Sequence, residues 1–160
     1  MRTSQRIGTT GRGNRGLFAA FVFVIFGTAA CGRMLAVASG RHIPRPAASE
    51  FGLGPRASAQ RLYTVSLQPT QALRPRQMQT VRIAVTDAGG MPVDGATIAS
   101  DGGMPQHGHG LPTRPRVTSS PGGGLYDIEG VRFNMGGWWE FKLAISGPSG
   151  ADTVTFNLDL

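Results

Sequence analysis

The sequence predicts an all-β fold, an antiparallel β-sandwich of about seven strands, preceded by an N-terminal hydrophobic signal or anchor segment. Three observations predict it. Glycine (24 residues) and proline (11 residues) are too frequent for long helices. From residue 61 onward, short runs alternate apolar and polar side chains with a period of two. Turn clusters such as Asp87-Ala88-Gly89-Gly90 punctuate those runs at close spacing.

The N-terminal segment, 1–38, reads as an address. Arg2, Arg6, Arg12 and Arg15 precede an uncharged run of 14 residues from Leu17 to Ala30. A basic stretch before an apolar core of this length has the pattern of an export signal. It is short of the roughly 20 residues that a spanning helix needs. Three fates stay open. In Thr28-Ala29-Ala30-Cys31 the small residues before a cysteine are similar to the lipobox of bacterial lipoproteins, which marks Cys31 for lipidation. Cleavage after Ala36-Val37-Ala38 is the second. An uncleaved anchor running past Arg33 is the third. Each places the rest of the chain on the periplasmic or extracytoplasmic side of a membrane and tethers it there or releases it. Residues 39–59 are rich in Pro, Ala, Ser and Gly, with Pro44, Pro46 and Pro55, and read as a flexible linker. His42 in that stretch reads as solvated.

The domain spans 60–160. Leu62–Leu67 is a first strand. Gln79–Thr86 puts Val81, Ile83 and Val85 on one face. Val93–Ser100 follows, then a brief edge strand at Val117–Ser119. Leu125–Glu129 comes next, and after Gly130 a new alternation sets Val131, Phe133 and Met135 against Arg132 and Asn134. Trp138–Ile145 is the strongest strand and Asp152–Leu158 the last. Short strands at this spacing fit a sandwich of immunoglobulin-like kind, without the Cys–Trp–Cys spacing of true immunoglobulin domains. Tyr63, Tyr126, Phe133, Trp138, Phe141 and Phe156 are the expected core aromatics. At least one of Trp138 and Trp139 is expected to be buried, because neighbours on a strand face opposite ways.

Charge removes one class of function. The net charge is +7, yet residues 1–56 hold eight arginines against Glu50 alone, and 57–160 hold eight basic and eight acidic residues. The domain is neutral, which leaves no electrostatic case for nucleic acid. The lone cysteine, Cys31, excludes an intrachain disulfide, so the domain needs a hydrophobic core or a metal. Catalysis finds no support either. No nucleophile stands with the histidines, and Asp127 and Glu129 read as solvated charges on one strand face. The domain is expected not to be an enzyme.

One segment carries chemistry: Met104-Pro105-Gln106-His107-Gly108-His109-Gly110-Leu111-Pro112. Its glycines let the two imidazoles converge on one ion or diverge. Met104 lies three residues before His107, and Met135 is 26 residues after His109. Thioether sulfur with imidazole nitrogen favours copper. A structural zinc site would need four Cys or His ligands, which the domain lacks. The alternative is structural: imidazoles bonding backbone carbonyls, with Met104 filling the core.

Met104-Pro-x-His107-Gly-His109-Gly-x-Pro112-Thr113, then Gly124-x-Tyr126, then Gly130-x-x-Phe133-x-Met135-x-Gly137-x-Trp139, resembles the YtkA-like and FixH-like family over about residues 62–160. The resemblance implies a small extracytoplasmic immunoglobulin-like domain, membrane-tethered or lipid-anchored. It implies copper handling as well, since FixH-like proteins take part in assembling copper-containing terminal oxidases. Two departures thin the ligand set: Val131 and Leu111 stand where methionine is usual. The metal ligands expected from the resemblance are His107, His109 and Met104, with Met135. Two functions follow as expectations. One is a copper-binding accessory protein for delivery or buffering, whose partner could be a membrane metalloenzyme. The other is a metal-free adaptor that docks on a membrane complex or transport system, with Trp139 as a partly exposed anchor.

Overall fold

The structure, a computed structural model, describes residues 43–160. The expected signal or anchor over 1–38, together with Cys31 and His42, lies outside the described residues. Among the described residues no helix is long and apolar enough to cross a membrane.

Nine strands form two antiparallel sheets: β1 (Arg56–Ala57), β2 (Tyr63–Pro69), β3 (Met78–Asp87), β4 (Thr97–Met104), β5 (His109–Gly110), β6 (Arg116–Gly122), β7 (Leu125–Arg132), β8 (Trp138–Gly147) and β9 (Gly150–Asp159). One sheet runs β1-β2-β3-β7-β6 and the other β5-β4-β8-β9. Without the two-residue strands β1 and β5, the order is β2-β3-β7-β6 against β4-β8-β9. That is the strand order of the constant-type immunoglobulin sandwich.

Alternation builds the core. Val81, Ile83 and Val85 of β3 face inward, as do Tyr126 and Ile128 of β7, and Phe141, Leu143 and Ile145 of β8. Each large aromatic contributes about 1.5–3 kcal/mol on burial, which lets the domain dispense with a disulfide. Both tryptophans are buried, on opposite faces. Trp139 is the core residue, packed edge-on to Phe133 with centroids 5.2 Å apart. Trp138 is buried as expected, though outside the main core cluster, and the expectation that Trp139 is a partly exposed anchor is corrected. Trp138 points to the outer face, where its Nε1 donates to Asn157 Oδ1 at 3.0 Å.

Two strand assignments shift. The third strand of the sequence reading, 93–100, lies at Thr97–Met104 as β4. Gly102 and Gly103 look like turn residues, but they belong to the strand. A Cβ at Gly102 would stand 2.8 Å from the Glu140 carbonyl oxygen, and one at Gly103 would stand 2.9 Å from that of His109. The second shift is at Gly130, where two expected strands are one. Gly130, at φ +80°, inserts an extra residue into β7: Val81 pairs with Ile128, but Gln79 pairs with Val131. This bulge flips the phase, so Tyr126 and Ile128 point inward before it and Val131 and Phe133 after it.

Residues 43–59, whose composition suggests a linker, run along the sandwich. Phe51 bridges Asn157 of β9 in parallel, Leu67 N–H donates to Leu53 O at 2.6 Å, and Ala59 N–H donates to Thr153 O at 2.8 Å. The segment closes the seam between β2 of one sheet and β9 of the other, giving partners to edge groups that would otherwise stay open. The buried Asp152 carboxylate pins its far end, accepting from Ser58 Oγ and from the backbone N–H of Gln60 and Leu62. Residues 43–160 thus hold a closed sandwich with its own complete core.

Candidate functional site

Local rules shape the segment Met104–Gly110 into a tight hairpin between β4 and β5. His107 N–H donates to Met104 O at 3.0 Å, and Gly108 N–H donates to the same oxygen at 2.9 Å. Pro105 occupies the turn position that its fixed φ suits. Gly108 takes φ +65°, a conformation that favours glycine. Proline and glycine in this motif are thus turn-makers, and what they display is the histidine pair.

His107 and His109 are both exposed. Their ring centroids lie 6.1 Å apart, with planes inclined by 23°. The rings are stacked, and because an imidazole lone pair lies in its ring plane, sharing one ion would require a side-chain rotation. The thioethers are placed otherwise. Met104 ends β4 facing inward, 2% exposed and part of the core. Its Cε packs toward Gly137, in the loop between β7 and β8. Met135, in that same loop, is half-buried against the core, and its carbonyl accepts from Trp139 Nε1 at 3.0 Å. Thus two of the four expected ligands meet on the surface and two belong to the packing beneath. Among the described residues no three His, Cys, Asp or Glu side chains gather as a metal site. Asp101, the acid nearest in sequence, turns its Oδ1 to the N–H of Gly102. Both imidazoles are exposed, whereas the Met104 thioether, as it stands, is packed in the core.

A neighbour of the hairpin was not legible in the sequence. Gln106 Nε2 donates to Ile43 O at 3.5 Å, so the start of the described chain lies beside the histidine turn. Arg45 supports the same stretch, paired with Asp159 at 2.6 Å and lying 4.8 Å over the Phe51 ring. Proline-rich composition conceals such docking, because it shows in neither alternation nor spacing.

A family model described as YtkA-like matches residues 57–144, from β1 well into β8 and across the whole hairpin. The chain belongs to the YtkA-like family. In this YtkA-like domain the motif residues of the resemblance divide by role. Gly124, Gly130 and Gly137 hold positive φ at turns and the bulge, Tyr126, Phe133 and Trp139 fill the core, and His107 and His109 remain free at the surface. No curated protein matches the chain. Among solved structures, the chain is similar to a "ZirS C-terminal Domain" at 18% identity with a TM-score of 0.37, covering 92% of this chain and 100% of that one.

Proposed function

We propose that this chain is a non-enzymatic, extracytoplasmic adaptor domain that presents the His107-Gly108-His109 hairpin to a protein partner at the membrane. Membership of the YtkA-like family supports an accessory domain of this location. The single observation that carries the reading is the division of the motif. The hairpin is closed by two hydrogen bonds to Met104 O and its imidazoles are exposed, while the thioethers that would complete a soft-metal site are buried (Met104) or half-buried against the core (Met135). A photo-cross-linking residue in place of Gln106, used in membranes from expressing cells, tests it. One dominant protein adduct, lost when His107 and His109 are replaced by alanine, supports the adaptor. No adduct above that from the same probe placed at Ala88, in the turn after β3, counts against it.

A second reading follows from two exposed imidazoles side by side. After a side-chain rotation out of the stacked arrangement they would hold copper as a two-nitrogen site, for delivery or buffering. Copper titration of the segment 43–160 under reducing and oxidising conditions tests it. One-to-one binding that vanishes in His107→Ala/His109→Ala supports the copper role. Binding unchanged in that variant removes it.

A further inference from the structure

The neutral charge of the domain conceals a segregation along its long axis. The strand registers place the loops 70–77, 105–108 and 133–137 at one end of the sandwich. The turns after β3, β6 and β8 lie at the other. Asp87, Asp94 and Asp152 belong to that second end, where each carboxylate accepts from backbone N–H groups of the turns. Arg74, Arg76 and Arg132 belong to the first.

These arginines are held in place. The Gln79 side chain grips the Arg74 backbone on both sides, accepting from its N–H and donating to its C=O, each at 2.8 Å. Arg76 N–H donates to Phe133 O at 2.7 Å, next to Arg132, and Arg132 pairs across the ladder with Met78. All three side chains are exposed, and among the described residues none is in an ion pair. Two acids of this end are matched, Asp159 by Arg45 and Glu140 by Lys142, while Glu50 and Glu129 are in no ion pair among the described residues. Apolar exposure gathers here as well. Met78 is 62% exposed, Leu53 41% and Ile43 39%; of the large exposed apolar side chains among the described residues, only Met91 lies at the acidic end.

We propose that the end carrying Arg74, Arg76, Arg132 and Met78 is a docking surface for anionic lipid headgroups. Guanidinium groups pair with phosphate oxygens in bidentate fashion, and a flexible thioether enters the boundary between headgroup and acyl chain. A flat lipid surface suits three exposed cations, two in the loop 70–77 and one at the end of β7, better than a single small anion does. The acidic end, repelled by the same surface, would point away and orient the domain. The hairpin of His107 and His109 shares the docking end but is not needed for the contact.

The test is sedimentation of the segment 43–160 with vesicles of equal parts phosphatidylglycerol and phosphatidylcholine, beside vesicles of phosphatidylcholine alone. Each arginine near an anionic surface contributes about fivefold to partitioning. Arg74→Ser/Arg76→Asn/Arg132→Ser is therefore expected to partition about a hundredfold less, with asparagine chosen because position 76 has φ +65°. A melt of each variant checks the fold, and the triple lysine variant, which keeps the charges but loses the bidentate fork, should bind more weakly than the parent and well above the serine–asparagine variant. His107→Ala/His109→Ala should also sediment like the parent, so the outcome is separate from that for the hairpin. Equal partitioning of parent and serine–asparagine variant overturns the proposal. So does a parent that ignores anionic vesicles, which would leave an acidic protein as the occupant of this end.

Discussion

The Cε of Met104 fills space that Gly137 leaves open: a Cβ at position 137 would stand 3.0 Å from it. A methionine in the hairpin motif thus works as packing between β4 and the loop that follows β7. Met104→Ala is expected to cost about 2–5 kcal/mol in a denaturant titration, whereas Met104→Leu should cost less than about 1.5 kcal/mol. If the thioether is only packing, Met104→Leu will match the parent in a copper titration. A folded Met104→Leu variant with clearly weaker copper binding would show that the thioether leaves the core to act as a ligand.

The histidines should behave in the opposite way. Both are exposed, so His107→Ala/His109→Ala is expected to change stability by no more than about 0.5 kcal/mol. Gly108→Ala has open space around its Cβ, but its φ of +65° alone should cost about 1 kcal/mol. Gly108→Asn should recover part of that, since asparagine tolerates the left-handed region. Thermal melts of the three variants check the ordering. A histidine variant less stable than Gly108→Ala would mean that the imidazoles hold the fold rather than serve a partner.

Much of the sandwich was legible because a strand with one buried face alternates. Val81-x-Ile83-x-Val85 on β3 and Phe141-x-Leu143-x-Ile145 on β8 gave both place and orientation. Legibility failed wherever an element depended on a distant backbone. The strand expected at 93–100 stops short of Gly102 and Gly103, because nothing local shows that Glu140 O and His109 O crowd them. The burial of Met104 depended on the register of the strand those glycines belong to, so its inward direction was hidden with it. Pro-rich 43–59 concealed its contacts with β2 and β9. For the site, Pro-x-His-Gly-His showed the turn and the paired imidazoles, but no spacing rule shows which thioether is free.

Gly124 offers a sharper test of the turn between β6 and β7. At φ +74°, its missing side chain is required twice: a Cβ would collide with the Val85 carbonyl oxygen and stand 3.1 Å from Val93 N. That oxygen also accepts from Val93 N–H, and Gly124 O accepts from Val85 N–H, so the backbone cannot move aside without losing both bonds. Gly124→Ala is expected to cost about 3 kcal/mol or more, combining strain with broken hydrogen bonds. Gly123→Ala, with φ +67° but open space around it, should cost clearly less. Equal losses in denaturant titrations would show that φ, and not the close approach to β3, sets the demand for glycine.

Asp152 sets an acid limit on the fold. Burial works to raise its carboxyl pKa, but the hydrogen bonds from Ser58 Oγ and from the N–H groups of Gln60, Thr153 and Leu62 together outweigh it and hold it below the ordinary 3.8. Asp127 is also lowered, chiefly by its hydrogen bonds from Arg82 and despite the opposing effect of burial. A carboxyl lowered on folding stabilises the native state above its unfolded pKa, and that contribution is lost as pH falls through the folded pKa. The melting temperature should therefore be flat from neutral pH to about 5 and drop below about 4, near the unfolded carboxyl value. Asp152→Asn should melt lower at neutral pH and show a shallower acid decline, with Asp127 supplying what remains. Because Asp152 pins the loop 58–62, the same variant should become sensitive to proteolysis there first. An Asp152→Asn domain whose melt falls with acid as steeply as that of the parent would place the acid limit elsewhere.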